Sequence, residues 1–213
     1  MDQNEKSRGL LPESKENADI SVVSTKRVVL TDKHSLFQMQ EMIKPAAEAL
    51  KKGELAVFPT ETVYGLGAGI YSEEGIKRIF QVKGRPSDNP LIVHIADINE
   101  TADLIHDSAP DLFYKLAERF WPGPVTFVLP KSQKISDTVS GGKPSVAIRF
   151  PSHPIAQILI NLAGQPIAAP SANISGKPSS TRSEHLQELV GKVEWIIDNG
   201  PITIGLESTI ISL

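Results

Sequence analysis

The sequence predicts an α/β fold formed by one large domain. Short apolar segments rich in β-branched residues alternate with amphipathic segments, as strands alternate with helices in this fold class. The chain has 213 residues, of which 40% are hydrophobic and 22% charged, a composition typical of a globular domain with a substantial core. Residues 1–24 are polar and lack periodicity, so we expect a flexible N-terminal tail followed by a domain at 25–213.

The first predicted strand is "KRVVL", and the second is the apolar segment at 55–59. That second segment runs into Thr60, Glu61 and Thr62, followed by glycines at 65, 67 and 69. Open α/β sheets bind ligands at the carboxyl ends of strands, and glycine permits sharp turns or close backbone approach. The stretch therefore predicts either a ligand-binding mouth or a plain glycine-rich turn. Six more strands are predicted, at "PLIVHI", "VTFVLP", "SVAIRFP", "QPIAAP", "VEWIID" and "ESTIISL".

Helices are predicted between these strands. "PAAEALKKG" ends at a glycine stop, and "EEGIKRIFQVKG" carries apolar residues at helical spacing. The remaining helices are expected at about 109–120, 154–163 and 182–190. Thr181 and Glu184 have capping-box spacing, which predicts the start of the last helix.

Composition excludes several classes of protein. No apolar run approaches the roughly 20 residues that span a bilayer, and the first residues contain no apolar signal core, so we expect a cytoplasmic protein. The absence of cysteine excludes disulfides and thiolate catalysis. A formal charge of −3 argues against nucleic-acid binding by the whole surface, although it permits a local basic groove. Because the sequence stops on an apolar strand, we expect a domain of a longer protein.

Lys83 and Arg85 flank Gly84 at the end of a predicted helix. Pro86 and Pro90 stiffen the following loop, where Asn89 adds a neutral donor. Two cations on a rigid loop can hold a polyphosphate. The alternative is an ordinary cationic helix C-terminus favoured by the helix dipole.

A polar loop, "APSANISGKPSSTR", follows the apolar segment at 167–169. It is not a phosphate-binding Walker loop, because Ser171 replaces the first glycine and Pro178 follows Lys177. Ser171 and Asn173 could bind a phosphate or ribose, or the loop could be a solvated connection.

Arg149 lies near the end of an otherwise apolar strand, where an unpaired charge would be costly, so it needs a structural carboxylate or a bound anion as partner. His94 either faces a cleft or lies in the core with its ring nitrogens hydrogen-bonded there. Glu207, Ser208 and Thr209 lie either at a sheet edge or in a site.

The order of these motifs closely resembles the YrdC-like domain of the threonylcarbamoyl-AMP synthase family. The series is "FPTETVYGLGA", "KGRPSDNPLIVHI", "FWPGPVTFVL", "SVAIRFPSHP", "IAAPSANISGKPSST" and "GLESTI". The resemblance extends from about Leu36 to Leu213 and is most specific at Lys83-Gly84-Arg85 and Ser171-Ala172-Asn173.

The resemblance implies a twisted mixed sheet with flanking helices and a concave basic groove. The implied enzyme is a nucleotidyltransferase that forms threonylcarbamoyl-adenylate and pyrophosphate from L-threonine, bicarbonate and ATP. A downstream transferase then passes the threonylcarbamoyl group to tRNA, and the groove itself could contact tRNA or double-stranded RNA. Magnesium is expected to accompany ATP, with no protein ligand assigned.

The resemblance also assigns roles to individual residues. Lys83 and Arg85 are implied to be catalytic, through neutralisation of the phosphates. The implied ATP-binding residues are Lys83, Arg85, Asn89, Ser145, Ser171, Asn173 and Ser179, and the implied threonine-binding residues are Thr62, His94, Arg149 and Ser208.

One departure concerns the end of the sequence. Longer family members continue into an arginine-bearing linker over the nucleotide, whereas this sequence ends at Leu213 with Ser212 where an aspartate is usual. The main alternative function is a non-catalytic nucleotide- or double-stranded-RNA-binding module of the same fold. A carbamoyl-transfer domain of hydrogenase maturation fits poorly, since its zinc-binding and acylphosphatase-like regions are missing from this sequence. A purely structural domain would leave Arg149 without a ligand to explain it.

Overall fold

A computed structural model describes residues 22–213, in which a nine-stranded mixed sheet is flanked by helices. The sheet has the strand order β1-β8-β2-β3-β7-β4-β6-β5-β9. The predicted α/β class with a mixed sheet is therefore confirmed. The strands are β1 Lys26–Val29, β2 Ala56–Pro59, β3 Tyr64–Gly69, β4 Ile92–His94, β5 Val125–Pro130, β6 Ser145–Arg149, β7 Ile167–Ala168, β8 Trp195–Asp198 and β9 Thr209–Ser212.

The helices connect these strands. They are α1 Leu36–Lys51, α2 Glu73–Lys83, α3 Thr101–Leu104, α4 Asp111–Phe120, α5 Asp137–Ser140 and α6 Pro154–Ala163, with 3-10 helices at Ile98–Glu100 and Ser183–Leu189. Within the described part of the chain, no helix is long and apolar enough to cross a membrane. Most of the predicted tail at 1–24, namely residues 1–21, lies outside the described residues. Near its end, Val23 is attached to the domain, because its N–H donates to Gly191 O at 2.9 Å.

Two predictions of local structure were wrong. The first helix begins at Leu36 instead of near Pro45, because Ser35 and Gln38 form a capping box and Pro45 lies inside the helix. The predicted capping box at Thr181 is absent, since the last helix is a 3-10 helix whose N-cap is Arg182. The carbonyl of Thr181 instead accepts from Ile202 N–H at 2.8 Å.

The sequence predicted no strand over the glycine-rich stretch, which forms β3. It pairs antiparallel with β2, so the two strands form a hairpin. A Cβ atom added at Gly67 would lie 2.6 Å from Ile167 Cγ2 and 2.8 Å from Phe58 Cε1. The glycine therefore makes room for the buried Phe58 ring.

The two faces of the sheet are covered differently. On one face, α2 and α4 pack over a large core that includes Phe127 and Ile148. On the other face, α1 and α6 pack over the half of the sheet that contains β1, β8, β2 and β7, including Phe58. The part of this second face formed by β4, β6 and β5 is left open beside the helices, and a cavity lies there.

Substituting Gly67→Ala should lower the free energy of unfolding by about 1–3 kcal/mol, because the new methyl group overpacks the Phe58 and Ile167 side chains. For a chain of this size, the melting temperature should fall by about 2–4 °C per kcal/mol. The matched control is Gly65→Ala in the same strand, where the nearest atom is Phe58 Cζ at 3.3 Å. Equal melting temperatures for the two variants would contradict this packing.

Candidate active site

A cavity of about 390 Å³ lies on the open part of the sheet, within the size range of small-molecule sites. Strands β6 and β4 form its floor. Every second side chain of a strand points to the same face of the sheet, so alternate residues of each strand line the cavity. Ser145, Ala147 and Arg149 line it from β6, and Ile92 and His94 line it from β4. The parallel register places Ile92 beside Ala147 and His94 beside Arg149.

The structure brings together eight of the eleven residues that the resemblance assigned. They come from six separate segments of the chain, and each of them lines the cavity. They are Thr62, Arg85, Asn89, His94, Ser145, Arg149, Ser171 and Ser208.

Arg149 forms the inner end of the cavity and is only 3% exposed. Its Nη2 lies 2.8 Å from Glu61 Oε1 in a buried ion pair that is not aligned as a hydrogen bond. Nη1 donates to Thr62 Oγ1 at 2.8 Å, and Nε donates to Gly123 O at 3.3 Å. The partner that the sequence required is thus a structural carboxylate, and guanidinium donors remain for an anion in the cavity.

Hydroxyl directions in the β2–β3 turn follow from a count of protons. Thr60 Oγ1 donates its single proton to Val63 O at 2.7 Å. In the 2.9 Å contact between the two threonine hydroxyls, Thr62 must therefore be the donor. Because Thr62 also accepts from Arg149, its hydroxyl can offer a ligand only its remaining lone pair. Thr62 is thus suited to accept a hydrogen bond from an amine or hydroxyl of a ligand.

His94 is a neutral ring at the same inner end. Burial, with a smaller contribution from the nearby Arg149 charge, lowers the pKa of His94 to about 3. Nδ1 donates to Ile92 O at 3.1 Å, and the ring packs edge-on against Phe58 at 6.0 Å. His94 therefore adds no positive charge to the cavity at neutral pH.

The outer end of the cavity is cationic. Arg85 follows α2, and its Nη2 donates to Pro90 O at 3.1 Å. Lys143 lines the cavity from the loop before β6, and Glu207 is the one carboxylate among the described residues that line it. Sequence reasoning missed Lys143, which carries no motif signal, and left the place of Glu207 open.

Lys83, Asn173 and Ser179 do not line this cavity. Lys83 is 1% exposed, and its ammonium donates to the carbonyls of Ser171 and Asn173. Burial, reinforced by Arg85, lowers the pKa of Lys83 to about 8. Lys83 thereby ties the end of α2 to the polar loop.

The polar loop separates the main cavity from a second one of about 290 Å³, which Asn173 and Ser179 line. The Asn173 amide donates to Lys177 O at 2.7 Å. Ser179 Oγ donates to Glu207 Oε1 at 2.7 Å, and it is thus one contact removed from the main cavity. The assigned roles of these three residues in ATP binding stay predictions.

We expect the His94 ring to stay neutral from pH 8 down to pH 5 in the folded protein, as measured by its ¹⁵N NMR shifts. Its folded-state pKa of about 3 lies below the unfolded value of about 6.5, so the unfolded chain binds more protons between these values. His94 should therefore make the free energy of unfolding fall as pH falls through this window. A ring that protonates between pH 7 and 6 would contradict the burial described here.

Comparisons with known proteins agree with the motif order. The Sua5/YciO/YrdC family model, described as "Telomere recombination", matches residues 48–213. The threonylcarbamoyl-AMP synthase of Pyrococcus abyssi is 54% identical over 172 residues, which are 80% of this chain and 50% of that protein. The chain thus spans about half of the length of this relative.

Two further proteins are similar to this chain. The threonylcarbamoyl-AMP synthase of Vibrio vulnificus is 36% identical over 167 residues, which are 77% of this chain and 89% of that protein. The crystal structure of P. abyssi Sua5 complexed with L-threonine superimposes with a TM-score of 0.85 at 49% identity, covering 89% of this chain and 54% of that one. The family model spans most of the chain, and the chain therefore belongs to the Sua5/YciO/YrdC family.

Proposed function

We propose that this chain is a threonylcarbamoyl-AMP synthase, a nucleotidyltransferase that converts L-threonine, bicarbonate and ATP into threonylcarbamoyl-adenylate and pyrophosphate. The observation that carries the proposal is the convergence of eight predicted residues on one cavity with a buried arginine at one end and free cations at the other. The similarity supports it, since the V. vulnificus relative with this name is covered over 89% of its length.

The inner end of the cavity would hold threonine. Arg149 offers guanidinium donors to the substrate carboxylate, and the Thr62 lone pair accepts from the amine or the side-chain hydroxyl. Ser208, whose Oγ lies 2.7 Å from Thr126 Oγ1, closes this end. Because His94 is neutral and Arg149 is paired with Glu61, this end carries little net charge, which suits a zwitterionic amino acid.

The reaction joins anionic partners, so positioning and positive charge matter more than a covalent nucleophile. The threonine amine attacks carbon dioxide derived from bicarbonate and loses a proton to give a carbamate. A carbamate oxygen then attacks the α-phosphorus, and the bond to the bridging oxygen breaks as pyrophosphate leaves with the electron pair. Arg85, with Asn89, Ser145 and Ser171 around it, would hold the nucleotide during this step.

Magnesium would accompany ATP. Mg²⁺ is commonly held by phosphate oxygens, water and one or two carboxylates. Within residues 22–213, no group of three or more metal-ligating side chains occurs, and Glu207 already accepts from Ser179. The chemistry of the cavity thus fits an ion carried mainly by the nucleotide. When bound, it neutralises phosphate charge.

The product would be consumed by a transferase that acts on tRNA. Direct tRNA contact and a place in the cytoplasm stay predictions. The binding-module alternative would bind nucleotide or RNA without forming an adenylate. No feature of the cavity favours it over the synthase.

The direct test is incubation of the protein with Mg-ATP, L-threonine and ¹³C-bicarbonate, followed by mass spectrometry. We expect an adenylate carrying one ¹³C and the mass of a threonylcarbamoyl group. Nucleotide binding without this product would favour the binding module.

Arg85→Ala should lower the rate of adenylate formation by about 100-fold, because one preorganised cation is removed from the phosphate site. The melting temperature should change little, since Arg85 is only partly buried and makes no ion pair with a carboxylate among the described residues. Arg119→Ala, a substitution of an exposed arginine on α4, is the matched control. A large loss of stability in Arg85→Ala would instead indicate a structural role.

A further inference from the structure

The cations of the cavity can be sorted by what already neutralises them. Arg149 is paired with Glu61 at 2.8 Å. Lys83 is turned away from the cavity, with its ammonium against two backbone carbonyls of the polar loop. Neither of them is free to balance a polyphosphate in this arrangement.

Two cations remain at the outer end. Arg85 donates to the backbone carbonyls of Asn89 and Pro90, and its charge is offset only in part by Glu207, with which it forms no ion pair within residues 22–213. The Lys143 ammonium has neither a carboxylate nor a hydrogen-bond partner anywhere in residues 22–213. Lys143 is exposed, yet it lines the same cavity as Arg85.

The backbone fixes Lys143 near the loop that carries Arg85. The preceding Gly141 has φ +61° and packs so closely that a Cβ atom there would lie 2.5 Å from Asp88 O. Leu91 N–H donates to Val139 O at 2.9 Å, and Lys143 N–H donates to Ser140 O at 3.2 Å. The two loops are thus held against each other, with Lys143 and Arg85 at one end of the cavity.

We propose that Lys143 binds the β- and γ-phosphates of the nucleotide and then the pyrophosphate that leaves. This rests on the proposed function. The threonine amine belongs at the inner end beside Arg149, so the α-phosphate lies between the two ends. The β- and γ-phosphates then extend toward Arg85 and Lys143. As the bridging bond breaks, negative charge grows on the pyrophosphate, and the Lys143 ammonium stabilises it there.

The test compares Lys143→Gln with Lys115→Gln, which changes an exposed lysine on α4 away from the cavity. Calorimetry at constant ionic strength measures the binding of pyrophosphate, ATP, AMP and threonine separately. For Lys143→Gln we expect about tenfold weaker binding of pyrophosphate and ATP, which is the loss of one charge-assisted hydrogen bond. AMP, threonine and the melting temperature should be unchanged, and Lys143→Arg should restore most of the affinity.

Two results would overturn the proposal alone: unchanged pyrophosphate affinity in Lys143→Gln, or an equal loss for AMP and ATP. Failure of the unsubstituted protein to bind ATP would overturn both this proposal and the proposed function. Because binding is measured without turnover, the two failures are distinguishable.

Discussion

The buried guanidinium of Arg149 constrains the site more than any other group. A charge that is almost wholly removed from water must be paired, and Glu61 supplies the opposite charge while Thr62 and Gly123 accept from the other nitrogens. These contacts join the β2–β3 turn, the segment before β5 and the end of β6 at one point. The turn therefore has a defined shape, and the hydroxyl of Thr62 has a fixed direction. A site built in this way is organised before a ligand arrives, which lowers the entropic cost of binding.

The rest of the cavity depends on incomplete coverage of the sheet. Helices α1 and α6 cover the half of this face that contains β1, β8, β2 and β7, so alternate residues of β4 and β6 are left to line a pocket. Lys83 then joins α2 to the polar loop, which lines the main cavity with one part and the second cavity with another. Its neutral amine would still have two N–H donors for the two carbonyls, so the contact can persist above the lowered pKa of about 8. At the inner end Arg149 is balanced by Glu61, whereas at the outer end the cations Arg85 and Lys143 outnumber the carboxylate of Glu207.

The sequence was sufficient for the fold class, most strand positions and the pocket. Strands such as β6 and helices such as α6 have strong periodicity, and the motif order located eight residues that converge. The glycine-rich strand β3 was missed because its residues have low strand propensity, and the side chains of Phe58, Ile167 and Gln165 that pack against its glycines are distant in sequence or not visible from it. The sequence also could not show that the Lys83 ammonium points at the carbonyls of the polar loop. Lys143 and Glu61 were missed for the complementary reason, since their roles depend on neighbours distant in the chain.

The central claim is that one cavity brings threonine, carbon dioxide and ATP together for reaction. The most direct measurement is pyrophosphate release from ATP by the purified protein, with threonine and bicarbonate each omitted in turn. Pyrophosphate release should require both threonine and bicarbonate, because the carbamate and not water attacks the α-phosphorus. Release that continues without either substrate, or no release despite saturating binding of both ATP and threonine, would contradict it.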